Sequence, residues 1–303
     1  MKNLKQKFCT IILMILLGVQ VASAQYYIGS YDYSNPTPPN PFDYTKSRLH
    51  LKGKVKSISI QTSWDEFETY EFAPNGNMTK HFSNGKTTIY EFNAKNKISQ
   101  ITSLSDYDGN DYKEVITFNY NAKGQCISRI YRHYEKPYEE WIEKEYSPMY
   151  TYNKIIELDC YKTTYKYSQS GSLKSAYDEF NITGDGIQHH KYSNGRLTTN
   201  GSGSSINYLG ECIYTYNTKG LLISTKSIVG GTGDGEAFLV LTTYYWNSNG
   251  NVSKVVAKSK DPSLAGIDTY KYIYDSHGNW TKMTIKSSGQ SPEIYTREIE
   301  YYN

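Results

Sequence analysis

One short frame, repeated along most of the chain, constrains the fold more than any other feature. Its fullest copy runs Tyr272, Ile273, Tyr274, Asp275, two residues, Gly278, Asn279 and Trp280. The pattern is aromatic, any, aromatic, Asn or Asp, two residues, glycine, any, apolar. It recurs at 118–124, 214–222, 244–252 and, with Ser168 in the Asn slot, at 165–173. Looser copies begin at Tyr70 and at Tyr90, the second with Asn96 in the glycine slot. The copy at 192–197 is shortened, and the one at Tyr150 lacks its glycine. The glycine slot falls at 76, 96, 124, 171, 195, 220, 250 and 278, in steps of 20 to 30 residues apart from one of 47 that holds the degenerate copy.

Each copy spells a β-hairpin. Aromatic-x-aromatic is a strand with both rings on one face. Asn or Asp suits the first position of a type I turn, and glycine the closing position, where φ is positive. Asn96 fits the same slot, because Asn tolerates that geometry best after glycine. A type I turn closed this way gives a hairpin with a bulge. Trp280 and Met283 share a face only if the returning strand carries a bulge between them, which the spacing leaves open. The 32 tyrosines, against 9 phenylalanines, suit a half-buried pleated surface. The expected fold is all-β: an antiparallel meander of some sixteen strands built from tandem hairpins, forming an extended or solenoid-like sheet with little helix.

The frame resembles the YD repeat of the Rhs family, whose consensus is tyrosine-x-tyrosine-aspartate-x-x-glycine, then arginine or asparagine and an apolar residue. Residues 272–280 match it fully, including Asp275; other copies carry Asn for Asp. The resemblance covers about 70–280. It implies repeats wound into a shell around a C-terminal toxin. This chain is expected to be too short to close such a shell, and its last residues, 297–303, have the pattern of a final strand rather than a toxin.

Residues 1–24 have the form of a secretory signal peptide: Lys2, Lys5 and Lys7, an apolar run over 8–21, then Ala22, Ser23 and Ala24 before the cleavage point. The run is shorter than the roughly 20 residues of a membrane helix, and no later segment approaches one, so no membrane span is expected after cleavage. The protein is expected in the periplasm, at the cell surface or outside the cell. The whole chain has 33 basic and 30 acidic side chains; removing the three signal-peptide lysines leaves 30 of each. A nucleic-acid partner therefore has no support from net charge. Residues 25–48, with Pro36, Pro38, Pro39 and Pro41, are expected to form an extended tether. Residues 49–303 form a single repeat domain. Cys126, Cys160 and Cys212 remain in an oxidising compartment, an odd number with no zinc spacing; they are expected as buried small side chains, and the alternative of one disulfide among them stays open.

Candidate chemistry is sparse. Asp106, Asp108 and Asp111 cluster around Gly109, but without the distal glutamate of a calcium loop they fit a solvated hairpin tip. His189 and His190 are neighbours on a strand and point to opposite faces, which does not suit a metal. Glu139, Trp141, Glu143 and Glu145 share one strand face and fit an exposed acidic edge better than a glycosidase pair. The glycine-rich stretch 231–235 lacks the Lys-Ser/Thr of a phosphate loop. No catalytic residue, metal or cofactor is expected. The candidate binding residues are Trp141, Trp246, Trp280 and Tyr244, as parts of an aromatic row on which a sugar can stack; the alternative is that the row is the core. The expectation is a non-catalytic exported repeat scaffold, with a carbohydrate or a surface protein as partner. Association through sheet edges is the second reading, and a hydrolase with non-local catalytic residues the third.

Overall fold

The structure is a computed structural model and describes residues 43–61, 67–107, 110–135, 156–180, 187–193, 196–203, 208–229 and 238–303. The signal-peptide assignment, most of the tether, and Glu139, Trp141, Glu143 and Glu145 lie outside the described residues.

Among the described residues eighteen strands form. They are β1 (Val55–Gln61), β2 (Phe67–Phe72), β3 (Met78–Ser83), β4 (Lys86–Phe92), β5 (Ile98–Tyr107), β6 (Asn110–Tyr120), β7 (Cys126–Glu135), β8 (Ile156–Tyr167) and β9 (Leu173–Phe180). The second half comprises β10 (Ile187–Ser193), β11 (Arg196–Gly203), β12 (Tyr208–Tyr216), β13 (Leu222–Val229), β14 (Phe238–Trp246), β15 (Val252–Ser259), β16 (Gly266–Tyr274), β17 (Trp280–Ser287) and β18 (Glu293–Tyr301). Among the described residues helix is confined to two 3₁₀ turns, Lys46–Leu49 and Pro262–Leu264. Every strand pairs antiparallel with its sequence neighbour, and β1 also pairs with β18, Ile58 opposite Ile299 and Ile60 opposite Arg297. The meander is therefore a closed 18-stranded barrel. This corrects the expected extended or solenoid-like sheet. An open meander leaves two rows of unpaired backbone groups, whereas a ring leaves none. Tyr302 reinforces the seam: its N–H donates to Lys54 O (2.7 Å) and its hydroxyl to Phe72 O (2.6 Å).

The hairpin chemistry follows the frame. In the turn after β6, Gly124 N donates to Asn121 O (2.8 Å) and Asn121 N to Gln125 O (3.0 Å), while Asn121 Oδ1 accepts from Gln125 N. The closing residue has φ of 73° at Gly124 and 58° at Asn96, the left-handed conformation that the frame demands. The returning strand then bulges. Tyr274 faces Trp280 but Ile273 faces Lys282, so Thr281 is the extra residue that returns Met283 to the inner face. The same shift follows the turns into β3, β5, β7, β9, β11, β13 and β15. In four copies the hydroxyl of the extra residue helps satisfy the facing strand: Ser99 to Glu91 O, Thr198 to Lys191 O, Ser253 to Tyr245 O and Thr281 to Ile273 O, at 3.0–3.4 Å.

Tyrosine is used for a further reason. Tyr120 OH donates to Ile98 O (2.6 Å), Tyr167 OH to Cys126 O (2.8 Å), Tyr216 OH to Leu197 O (2.7 Å) and Tyr272 OH to Val252 O (2.7 Å); Trp246 Nε1 does the same to Leu222 O (2.8 Å). Each acceptor lies at the start of a bulged strand. Five hairpins thus satisfy the irregular backbone of the hairpin before them, with a ring in the core and a hydroxyl or indole N–H on a carbonyl.

The frame's apolar positions face inward and form two main clusters, one from Tyr70, Met78, Ile98, Ile101 and their neighbours, the other from Leu222, Val252, Trp280 and Met283. Residues 44–51, partly assigned to the tether, belong to the first. Tyr44 is fully buried, with its ring 5.7 Å from Tyr90 and 5.9 Å from Phe118, and Leu49 and Leu51 are buried with it. The segment crosses from the β2–β3 turn, where Lys46 N donates to Gly76 O (2.8 Å), to the β16–β17 turn, where Lys52 N donates to Asn279 Oδ1 (2.7 Å). It acts as a plug at the end of the barrel that carries the repeat turns. Apolar rings held at a closed end outweigh the prolines that precede them.

Candidate functional site

Away from the plugged end, the inner face of β2–β8 turns polar. Glu68 accepts from Tyr70 OH (2.8 Å), and the Tyr70 ring stacks on His81 at 4.2 Å. His81 lies opposite Thr88, whose hydroxyl meets Ser103 Oγ at 3.0 Å, and Ser103 lies opposite Glu114. Glu114 pairs with Lys86 and accepts from Tyr131 OH at 3.3 Å; His133 Nδ1 is 3.2 Å from that hydroxyl and 3.9 Å from Glu114 Oε1. Beyond them Arg129 Nε donates to Thr163 Oγ1 at 2.9 Å. A band of donors and acceptors thus crosses β2 to β8, partly open to water at Lys86 and His133.

Burial sets its protonation. His81, 4 % exposed, is pushed down to about 4 by burial and secondarily by the Lys86 charge, so it is neutral at pH 7. Burial pushes the Cys126 thiol up to about 12 and the Tyr167 hydroxyl to about 12. Two buried polar atoms on this wall have no protein partner, His81 Nε2 and the Tyr90 hydroxyl. Buried groups of that kind are normally satisfied, and they mark where water or a ligand group belongs. The arrangement can hydrogen-bond an uncharged hydroxyl-bearing molecule. His81 and the Cys126 thiol are both shifted away from the range in which they would serve as general base or thiolate at neutral pH.

Three of the four sequence-selected binding residues lie inside the barrel wall. Tyr244 and Trp280 are buried and Trp246 is half-buried, and the Arg297 guanidinium lies 3.5 Å from the Trp280 ring centroid. They belong to the second core cluster, the outcome that a row of same-face rings also allows. Trp141 lies outside the described residues. His190 points inward and is buried, and the side chain of His189 lies outside the described residues. Cys126 and Cys212 are buried free thiols, and among the described residues no group of three metal-ligating side chains forms.

His81, Lys86, Glu114 and His133 carry no local motif, because strand pairing rather than sequence spacing brings them together. A trace was nonetheless present. His81 and Arg129 occupy the frame position held by Ile101, Val255 and Met283 in other copies. A charged or imidazole side chain where the repeat elsewhere places an apolar one singles out this wall.

The outer face is mixed. Lys80, Lys113, Lys226, Lys254, Lys271 and Lys282 point outward on six strands, among Thr, Ser and scattered Ile, Leu and Tyr. No helix among the described residues is long and apolar enough to cross a membrane.

No family model and no curated protein matches this chain. Among solved structures, a porin-like protein from Bacteroides uniformis matches over 82 % of this chain and 98 % of its own, at 11 % identity and a TM-score of 0.28. A porin-like protein from Bacteroides vulgatus matches over the same shares, at 11 % identity and a TM-score of 0.41. A TcdB2–TccC3 chain matches over 84 % of this chain and 14 % of its own, at 15 % identity and a TM-score of 0.32. Overlaps this loose do not define a shared fold.

Proposed function

We propose that this protein is an exported, non-catalytic repeat scaffold, a water-facing barrel of the cell envelope or its surroundings that binds a glycan through its walls. The carrying observation is the direction of its polarity. Tyrosines and aliphatics fill the inside, while lysines stand at mid-strand on the outside. A barrel in lipid needs the reverse, an outward apolar band about 25 Å tall, and each lysine at the bilayer midplane costs about 2–4 kcal/mol. One stretch of the ring supports the same reading: β1–β4 have 6 or 7 residues, against the roughly 9–11 of a membrane strand. The ring leaves no free strand edge, which disfavours assembly by edge pairing. The shared turn, bulge and tyrosine ladder support membership of the YD-type repeats, and the signal-peptide pattern supports export.

The test uses protein starting at Gln25, purified without detergent and applied to a glycan array beside a double variant, His81→Ala with Tyr90→Phe. The expected result is a monodisperse β-rich sample whose binding weakens in the variant. Protein that stays in solution only with detergent would sink the water-facing reading, and robust turnover on a substrate panel would sink the non-catalytic one.

A further inference from the structure

On a molecule whose mature chain balances 30 basic and 30 acidic side chains, one wall is one-sided in charge. Across β13–β17 the outward positions carry Lys226, Lys254, Lys258, Lys271, Lys282 and Lys286. Among the described residues, these five strands turn no carboxylate outward: Asp268, their only acid, faces inward and is 5 % exposed. The β18 wall beside them turns Glu298 and Glu300 outward.

The lysines are ordered by register. Tyr245, Lys254, Thr269 and Lys286 follow one another on a line across β14, β15, β16 and β17. Ile213, Lys226, Leu241 and Lys258 follow one another on a second line across β12–β15. On both lines the cations sit two strands apart, about 10 Å at ordinary strand spacing. On the first, Tyr245 is 50 % exposed, and Lys254 Nζ lies 5.8 Å from its ring centroid. An exposed flat ring next to a cation, followed by a hydroxyl and a second cation, offers a sugar a stacking face, an anion partner and a hydrogen bond along one track.

We propose that the outer wall of β13–β17 is a docking track for a linear anionic polysaccharide bearing about one carboxylate or sulfate per disaccharide. The cation spacing suits a charge on every second sugar of an extended chain. A nucleic acid carries a charge on every nucleotide and calls for denser basic groups. An anionic bilayer calls for clustered basic groups and inserted Trp, Phe or Leu rather than a flat wall of alternating Lys and Thr. The proposal rests on the reading that the outer wall faces water, and it adds a ligand class and a place.

The test is binding of the mature protein to immobilised hyaluronan, a linear polysaccharide with one carboxylate per disaccharide, with neutral dextran as control. Two multiple variants, alike in charge removed, are compared: Lys226, Lys254, Lys258, Lys271 and Lys286 changed to Gln on this wall, and Lys80, Lys113, Lys162, Lys166 and Lys191 changed to Gln on the opposite one. Binding to hyaluronan and not dextran is expected, weakening about tenfold from low to physiological salt. The first variant is expected to lose at least that much again and the second to stay within about twofold, while Tyr245→Ala weakens binding without changing its salt dependence. Equal loss in both variants, or no binding by soluble folded protein, overturns the track while leaving the water-facing scaffold intact. Tighter capture of single-stranded DNA or of anionic vesicles in the same assay overturns the ligand class. Protein that needs detergent overturns the scaffold itself.

Discussion

Tyr120 and Phe92 hold the same place in successive hairpins and differ by one oxygen. In Tyr120 that oxygen donates to Ile98 O at 2.6 Å, beside a bulge. Tyr120→Phe keeps the ring and strands the carbonyl, so it is expected to cost about 1–3 kcal/mol in urea denaturation, whereas Phe92→Leu changes packing alone. No loss in Tyr120→Phe would mean that water replaces the hydroxyl. His81 gives the wall a pH dependence with a definite sign. Its folded value of about 4 lies below the ordinary 6.5. Below pH 6.5 the unfolded chain takes up a proton that the folded chain refuses, so stability present above that pH is lost as pH falls towards 4, by up to about 3 kcal/mol. Urea midpoints at pH 7 and pH 4.5 should differ less in His81→Gln than in the parent; equal slopes would place the acid sensitivity elsewhere.

At the scale of the element, the hairpin was legible because its determinants are local. Asn121 and Gly124 specify the turn within four residues, and Asn96 marks the left-handed slot by residue type alone, with φ of 58°. The bulge was legible as a parity conflict between Trp280 and Met283, and register resolves it at Thr281. The plug was not legible. Tyr44, Leu49 and Leu51 follow a proline-rich stretch, and their burial depends on rings from β4 and β6 that no local pattern connects to them. The inner-wall band was hidden for the same reason, since Lys86 and Glu114 meet only through the pairing of β4 with β5 and of β5 with β6. Tyr44→Ala empties a fully buried aromatic site and is expected to cost about 3–5 kcal/mol, read as a fall in the urea midpoint with the far-ultraviolet β signal retained before the transition. A change below about 1 kcal/mol would mean that residues 44–51 lie on the barrel rather than hold it.

Closure belongs to the whole molecule and depends on contacts between opposite ends of the chain. Ser57 pairs with Glu300, Lys56 with the Glu300 carboxylate at 2.8 Å, and Arg297 with the backbone position of Ile60. No hairpin encodes this, because each unit is satisfied equally by an open neighbour or a closed one. What decides is the ring's removal of both edges, together with a first strand, Val55–Gln61, that stands outside the repeat frame and accepts a partner on each side. Deleting 293–303 removes β18 and exposes an edge on β1 and another on β17, while the other neighbour pairings keep their residues. The truncated protein is therefore expected to keep its β-rich circular dichroism yet associate with rising concentration, through the two matching edges, in light scattering or ultracentrifugation. Adding Lys at outward positions of β1 should suppress that association by charge without restoring the ring. A truncated chain that stays monomeric and as stable as the parent would mean that the β1–β18 seam contributes nothing to the fold, and that the meander is held by its hairpins alone.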